Sequence, residues 1–375
     1  MPVHTLPAAA ALQTLGEFDT LIDARSEDEH ALDHLPGAVN WPTLDNAQRI
    51  SIGTLYKQVN AFEAKKRGAA LSARNIAAHI EREVIDKPHH WKPLVYCWRG
   101  GNRSGALATI LGAIGFQVTL IEGGYKAWRA TLVEDLTPQA QRLSYRVICG
   151  PTGSGKTRLL HALAAQGAQV LDLESLARHR SSVLGHIPGV EQPSQKRFDS
   201  LIWDALRGFD AARPVFIESE SKKVGNVRVP DGLMEAMRAS PCIDLKLSDE
   251  ERVALLLEDY AFFVQDPGFF CERLHALSEH RGNAVVGEWI SKVRSGATKE
   301  VVLELLKQHY DPMYSGSIGR NFKQFEQARP LNLKSRNSDA LHTAATTLIK
   351  ANETMPPAEQ RLSDPAAPGL ITPTE

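Results

Sequence analysis

Leu94-Val95-Tyr96-Cys97-Trp98-Arg99-Gly100-Gly101-Asn102-Arg103-Ser104-Gly105 decides how the first third of this 375-residue chain is read. Strand-forming residues run into Cys97, two glycines follow, and the apolar run Ala106-Leu107-Ala108-Thr109-Ile110-Leu111 starts directly after. That order predicts a buried strand, a tight turn and a helix. Successive backbone N–H groups in such a turn point inward and the helix adds its positive end, so the cysteine is expected in a cup built for an anion. Donors of this kind favour a thiolate over a thiol. Arg99 and Arg103 lie in or beside the cup, with Gly100, Gly101 and Asn102 as its wall. A cysteine that only fills a strand end would not require two arginines and two glycines around it.

Working outward, Thr20-Leu21-Ile22-Asp23-Ala24-Arg25 reads as a short strand followed by the acidic segment Glu27-Asp28-Glu29-His30. A turn and second strand follow in His34-Leu35-Pro36-Gly37-Ala38-Val39-Asn40-Trp41-Pro42, and Val118 to Gly124 is a strand with a glycine turn feeding the helix that starts at Tyr125. Strands alternating with helices predict a mostly parallel sheet covered on both faces, with the active site beyond the strands' carboxyl ends, where Cys97 falls. For the basic cluster Lys65-Lys66-Arg67, a solvated helix face and a contact to RNA or an anionic substrate stay equally open. The Asp23/Arg25 pair, the Leu35-Pro36-Gly37-Ala38 turn with Asn40 and Pro42, the cysteine loop and Gly123-Gly124 with Ala127-Trp128 resemble a rhodanese domain over roughly residues 10–132. That resemblance implies sulfur or selenium carried on Cys97. Five residues separate Cys97 from Arg103, one more than in many single-domain rhodaneses, which resembles the loop of cysteine phosphatases. The wider cup suits a tetrahedral oxyanion such as phosphate, thiophosphate or selenophosphate, although no acid for a leaving alcohol stands out.

Leu136-Thr137-Pro138-Gln139 breaks the pattern and predicts a linker over residues 136–143, dividing a first domain (1–135) from a second (144–350). The second opens with the strand Tyr145-Arg146-Val147-Ile148-Cys149 and Gly150-Pro151-Thr152-Gly153-Ser154-Gly155-Lys156-Thr157, a full G-x-x-x-x-G-K-T phosphate loop before a helix from Arg158 to about Gln166. Gly150, Gly153, Ser154 and Gly155 let backbone N–H groups surround a di- or triphosphate, Lys156 bridges its terminal oxygens, and Thr157 would hold Mg²⁺ if one is present. Asp172 and Glu174 follow a strand, with Arg178-His179-Arg180 on the next helix; Glu218 or Glu220, after the strand Val215 to Ile217, is placed to orient a metal. A strand at Ile243 to Leu247 precedes a helix capped by Asp249-Glu250-Glu251-Arg252. The rest to residue 350 reads as helices, Val285 to Val293, Lys299 to Tyr310 and Ala340 to Lys350, with Tyr310-Asp311-Pro312-Met313-Tyr314 ending one sharply. Residues 351–375, with five prolines, are expected to be a disordered tail. The fold class is α/β throughout: a rhodanese-like N-terminal domain, then an NTPase-like phosphate-loop domain with a helical C-terminal part.

A 43% hydrophobic and 23% charged composition is that of a soluble globular protein. Residues 1–135 carry 14 basic against 15 acidic side chains and residues 136–350 carry 28 against 25, a balance that neither demands nor forbids nucleic acid. No membrane span or secretion signal is legible, so a cytoplasmic location is expected. The four cysteines lack both CxxC spacing and the density of a disulfide framework.

Taken together, Cys97 to Ser104, Glu122 to Ala127, Gly150 to Thr157, Asp172 to Glu174 with Ala177 to Arg180, Glu218 to Ser221 and Tyr310 to Tyr314 resemble the tRNA 2-selenouridine synthase family over about residues 15–320. The resemblance implies a transferase acting on the wobble 2-thiouridine of tRNA, which geranylates the sulfur from geranyl diphosphate and then exchanges geranylthiol for selenium from selenophosphate. It also implies tRNA and a supplying selenophosphate synthetase as partners, no tightly bound cofactor and no membrane. Alkylating the thione makes C2 more electrophilic and gives it a thiol to expel, which is why both a phosphate loop and a nucleophilic cysteine would be needed. The rival expectations are a sulfurtransferase or cysteine phosphatase joined to a phosphate-loop kinase, and a tRNA- or nucleotide-binding regulator.

Overall fold

Two parallel sheets organise the chain in the computed structural model, which describes residues 3–180, 182 and 184–353. The first is built from β1 (His4–Leu6), β2 (Thr20–Asp23), β3 (Val39–Asn40), β4 (Pro93–Tyr96) and β5 (Thr119–Ile121), in the order β1-β5-β4-β2-β3. All four residues of central β4 are buried, so Cys97 leaves the middle of the sheet at its carboxyl edge. The second half adds β6 (Tyr145–Cys149), β7 (Gln169–Leu171), β8 (Val215–Glu218), the hairpin β9 (Lys223–Val224) and β10 (Val227–Arg228), β11 (Cys242–Lys246) and β12 (Arg329–Asn332). Its sheet runs β12-β11-β6-β8-β7. The chain builds out to one side of β6 and then to the other, so a crevice opens where β6 passes into the phosphate loop.

The expected linker is instead one helix, Gly124–Gln141, that continues straight through Pro138. Leu132, Leu136 and Ala140 recur every fourth residue and are all buried, and that packing outweighs the roughly 3 kcal/mol that an interior proline costs. The helix lies against Gln195–Arg207 and Asp231–Ala239, with Trp128 edge-on to Trp203 at 6.4 Å. Buried Asp33 accepts hydrogen bonds from Tyr125 Oη (2.8 Å) on one side and Ser200 Oγ (3.1 Å) on the other. One hydrophobic core therefore runs through both halves.

Three further expectations change. Arg329-Pro330-Leu331-Asn332, read as part of a helical region, is edge strand β12, where a proline is tolerated because one side of the strand needs no donor. Tyr310-Asp311-Pro312 does not stop the chain: the helix Thr298–Leu305 passes through a π-helical turn, Leu306–Tyr310, into the helix Asp311–Asn321, whose first turn accommodates Pro312. The last helix, Ser338–Glu353, overruns the expected boundary at 350, and the rest of the expected tail lies outside the described residues. Among the described residues no helix is long and apolar enough to cross a membrane, and all four cysteines are free and buried.

Candidate active sites

The cysteine loop takes its shape from its neighbours. The helix Gly124–Gln141 turns its first N–H groups onto the loop's carbonyls, Tyr125 N to Cys97 O (2.8 Å) and Lys126 N to Trp98 O (3.0 Å). Gly124 must be glycine: a Cβ there would stand 2.3 Å from Cys97 O and 2.4 Å from Gly100 N, at φ +59. The helix Asn102–Ile114 begins directly behind the turn, and Ser104 Oγ donates to Cys97 Sγ at 3.1 Å. The thiol is thus held at the carboxyl end of β4 against the start of that helix, only 3% exposed. Arg103 points elsewhere, making a bidentate pair with Glu29 (2.6 and 3.3 Å) that pins the loop to the capping box of Glu27–Leu32. Burial works against the Glu29 carboxylate, yet the Arg103 contact holds its pKa below the ordinary carboxylate range. Arg99, Gly101 and Asn102 sit exposed at the rim, while Gly100 adopts the left-handed turn at φ +66. The cluster Lys65-Lys66-Arg67 lies on the exposed face of the helix Ala61–Glu83, where Lys66 pairs with Glu63.

At the phosphate loop one cleft gathers nearly every residue singled out from the sequence: Gly150, Gly153, Gly155, Lys156, Thr157, Asp172, Glu174, Arg178, His179, Glu218 and Glu220. Ser154 is the exception, its side chain wholly buried beneath the loop. Lys156 Nζ donates to Gly150 O (2.8 Å) and Pro151 O (3.3 Å), and Thr157 Oγ1 lies 3.3 Å from carboxylate oxygens of both Glu174 and Glu218. Oxygens of Glu174, Glu218 and Glu220 fall within 4.8 Å of one another. Burial first, then mutual repulsion, raises the pKa of Glu174 to about 8 and pushes that of Glu218 upward too. Asp172 caps the short helix Leu173–Ala177 through Ser175 N and meets His161 Nε2 at 2.9 Å. Glu174 is therefore on a helical turn rather than at a strand end. Arg178-His179-Arg180 is not helical as expected, because Arg178 ends the helix in a left-handed cap at φ +50. Burial lowers the His179 pKa, and Arg180 lies 4.7 Å over the Tyr260 ring.

Sequence reading missed the strut of this site. Arg252, 4% exposed, donates to Thr152 O through Nε (3.0 Å) and Nη2 (2.8 Å) and forms an ion pair with Asp311 at 2.6 Å. Its buried place on an amphipathic helix is the signal, but the neighbouring Asp249-Glu250-Glu251 made it look like part of a solvated cap.

Together these features define a rhodanese-like cysteine domain joined through one helix to a phosphate-loop domain. Family models described as "Rhodanese-like domain" and "tRNA 2-selenouridine synthase AAA domain" match residues 7–131 and 143–269. The chain belongs to the tRNA 2-selenouridine synthase family: it is 33% identical to the protein of that name from Cupriavidus necator, over 79% of this chain and 87% of that one. Identity to the Nitrosomonas eutropha namesake is 30%, over 88% of this chain and 97% of that one. The match to the Nitrosomonas europaea namesake is 37% identical and covers 64% of this chain and 63% of that protein, less than two thirds of its length.

Proposed function

We propose that this chain converts wobble 2-thiouridine of tRNA into 2-selenouridine through an S-geranylated intermediate. The observation that carries the reading is the pairing, in one chain, of a glycine-held thiol cup with a phosphate cleft. In the first step the thione sulfur attacks C1 of geranyl diphosphate, the C1–O bond breaks, and diphosphate leaves with the electron pair. Backbone N–H groups of the loop from Thr152 to Thr157 and the Lys156 ammonium stabilise the charge that develops on it. The selenium of selenophosphate, supplied by a selenophosphate synthetase and held at the Cys97 cup, then adds at C2; the C2–S bond breaks, geranylthiol leaves with its electron pair and a proton, and water cleaves the P–Se bond to release phosphate.

Thr157, Glu174, Glu218 and Glu220 would hold Mg²⁺, since they offer closely set hard oxygen donors and carboxylates this buried and crowded otherwise resist ionisation. When bound, the ion neutralises diphosphate charge. Parallel titrations of the purified protein with geranyl diphosphate and with ATP test the reading. Saturable geranyl diphosphate binding that Lys156→Ala abolishes supports it; tRNA-stimulated ATP turnover with no prenyl diphosphate binding overturns it.

A further inference from the structure

A second, narrow cavity with almost wholly apolar walls, about 50 Å³ in size and partly open to solvent, adjoins the phosphate cleft. The two spaces share Thr152, Ser182, Leu256 and Tyr260, so the mouth of the apolar cavity lies against the phosphate loop itself. Leu256 is close enough that a Cβ on Gly153 would come within 3.0 Å of its side chain. Buried Phe263, Phe270, Leu305 and Leu306 form the floor. Leu305 and Leu306 flank the start of the π-helical turn, a local distortion frequently found at functional positions.

The chemistry of the walls narrows the occupant. A nucleotide base or ribose would leave its hydrogen-bonding edge largely unmatched here, because apart from the Thr152, Thr298 and Ser182 hydroxyls and the Tyr260 and Tyr310 rings the lining is aliphatic or phenylalanine. A hydrocarbon chain has no such requirement, and its burial is favourable in proportion to the area removed from water. The frame also couples the two spaces: Arg252 ties Thr152, at the shared mouth, to Asp311, the residue that follows the π-helical turn.

We propose that this cavity is the tail subsite for the prenyl chain of the diphosphate substrate, with the head group on residues 150–157 and the chain passing between Leu256 and Tyr260 to the floor. The proposal rests on reading the phosphate loop as a prenyl diphosphate site. Val302 and Leu257, half-buried on two neighbouring helices, line the path that the chain would take.

Three probes that share one head group separate the two ideas: methyl, dimethylallyl (C5) and geranyl (C10) diphosphate, titrated calorimetrically into the full chain. The wild type is expected to bind the C10 probe about 100-fold and the C5 probe about 10-fold more tightly than the methyl probe, a gain well below full transfer because ordering the chain costs part of it. Val302→Trp and Leu257→Trp should each keep methyl diphosphate binding, which also reports correct folding, while cutting the C10 advantage at least 10-fold. Should either variant fail to fold, the wild-type series alone decides. Equal binding of the three probes, or an undiminished C10 advantage in folded variants, overturns the tail subsite while loss of binding in Lys156→Ala leaves the head-group reading standing. If Lys156→Ala binds all three probes normally, the head-group reading falls and takes the tail subsite with it.

Discussion

Replacing Arg252 by methionine removes the strut of the phosphate loop while keeping most of the stem's apolar contact. The native guanidinium gives two hydrogen bonds to the Thr152 carbonyl and a bidentate pair to Asp311 at 2.6 and 3.1 Å. Breaking a buried ion pair from one side costs about 3–5 kcal/mol, chiefly because the remaining charge is stranded. Asp311 is 25% exposed, so water recovers part of its solvation and the lower end, about 3 kcal/mol, is expected. For a domain of this size each kcal/mol moves the midpoint by about 2–4 °C, so thermal unfolding should shift down by about 6–12 °C. Calorimetry with and without methyl diphosphate reads both the loss of stability and the weaker head-group binding that a loosened Thr152 entails. Arg252→Met with Asp311→Leu should lose less than the two single losses added together, because no Asp311 charge is then stranded and Asp249, the guanidinium's other partner, keeps Lys307. A midpoint unchanged by Arg252→Met, or strictly additive single and double variants, would refute the strut.

At the junction of the two halves, burial first, and then the nearby Arg197 and His30 charges, depress the His34 pKa from 6.5 to about 4, so folding favours the neutral ring. That contribution is present above pH 6.5 and is lost as pH falls toward 4; the urea midpoint should drop between pH 7 and pH 5, and less in His34→Gln, and equal drops would contradict this. Gly124→Ala must displace the cysteine loop, because the added methyl meets Cys97 O at a positive φ; a loss of about 2 kcal/mol or more is expected in denaturant unfolding, together with selenium transfer. Cys97→Ser should accumulate S-geranylated nucleoside and form no selenouridine, as read by mass spectrometry of digested tRNA; loss of both products would show that the two sites do not act separately.

What was legible in the sequence was what is local. The cysteine turn and the phosphate loop are each a strand, glycines in left-handed conformations (Gly100, Gly153, Gly155) and a helix start, all encoded within about a dozen residues. What was not legible depends on contacts between distant positions. Arg103 looks like part of an anion cup until Glu29, 74 residues earlier, claims it. Arg252 reaches a carbonyl 100 residues away. Pro138 reads as a breaker because the sequence does not display the second domain's helices, against which Leu132, Leu136 and Ala140 pack. The carboxylates were found singly, but their convergence on Thr157 needs both the carboxyl end of β8 and the helix turn at Glu174.

The most direct measurement combines the purified chain with anticodon-stem RNA carrying 2-thiouridine, geranyl diphosphate and selenophosphate, followed by mass spectrometry of the nucleosides over time. S-geranyl-2-thiouridine should rise first and 2-selenouridine should follow at its expense. Selenouridine formed at full rate without the prenyl donor, or a nucleoside left unchanged, would contradict it.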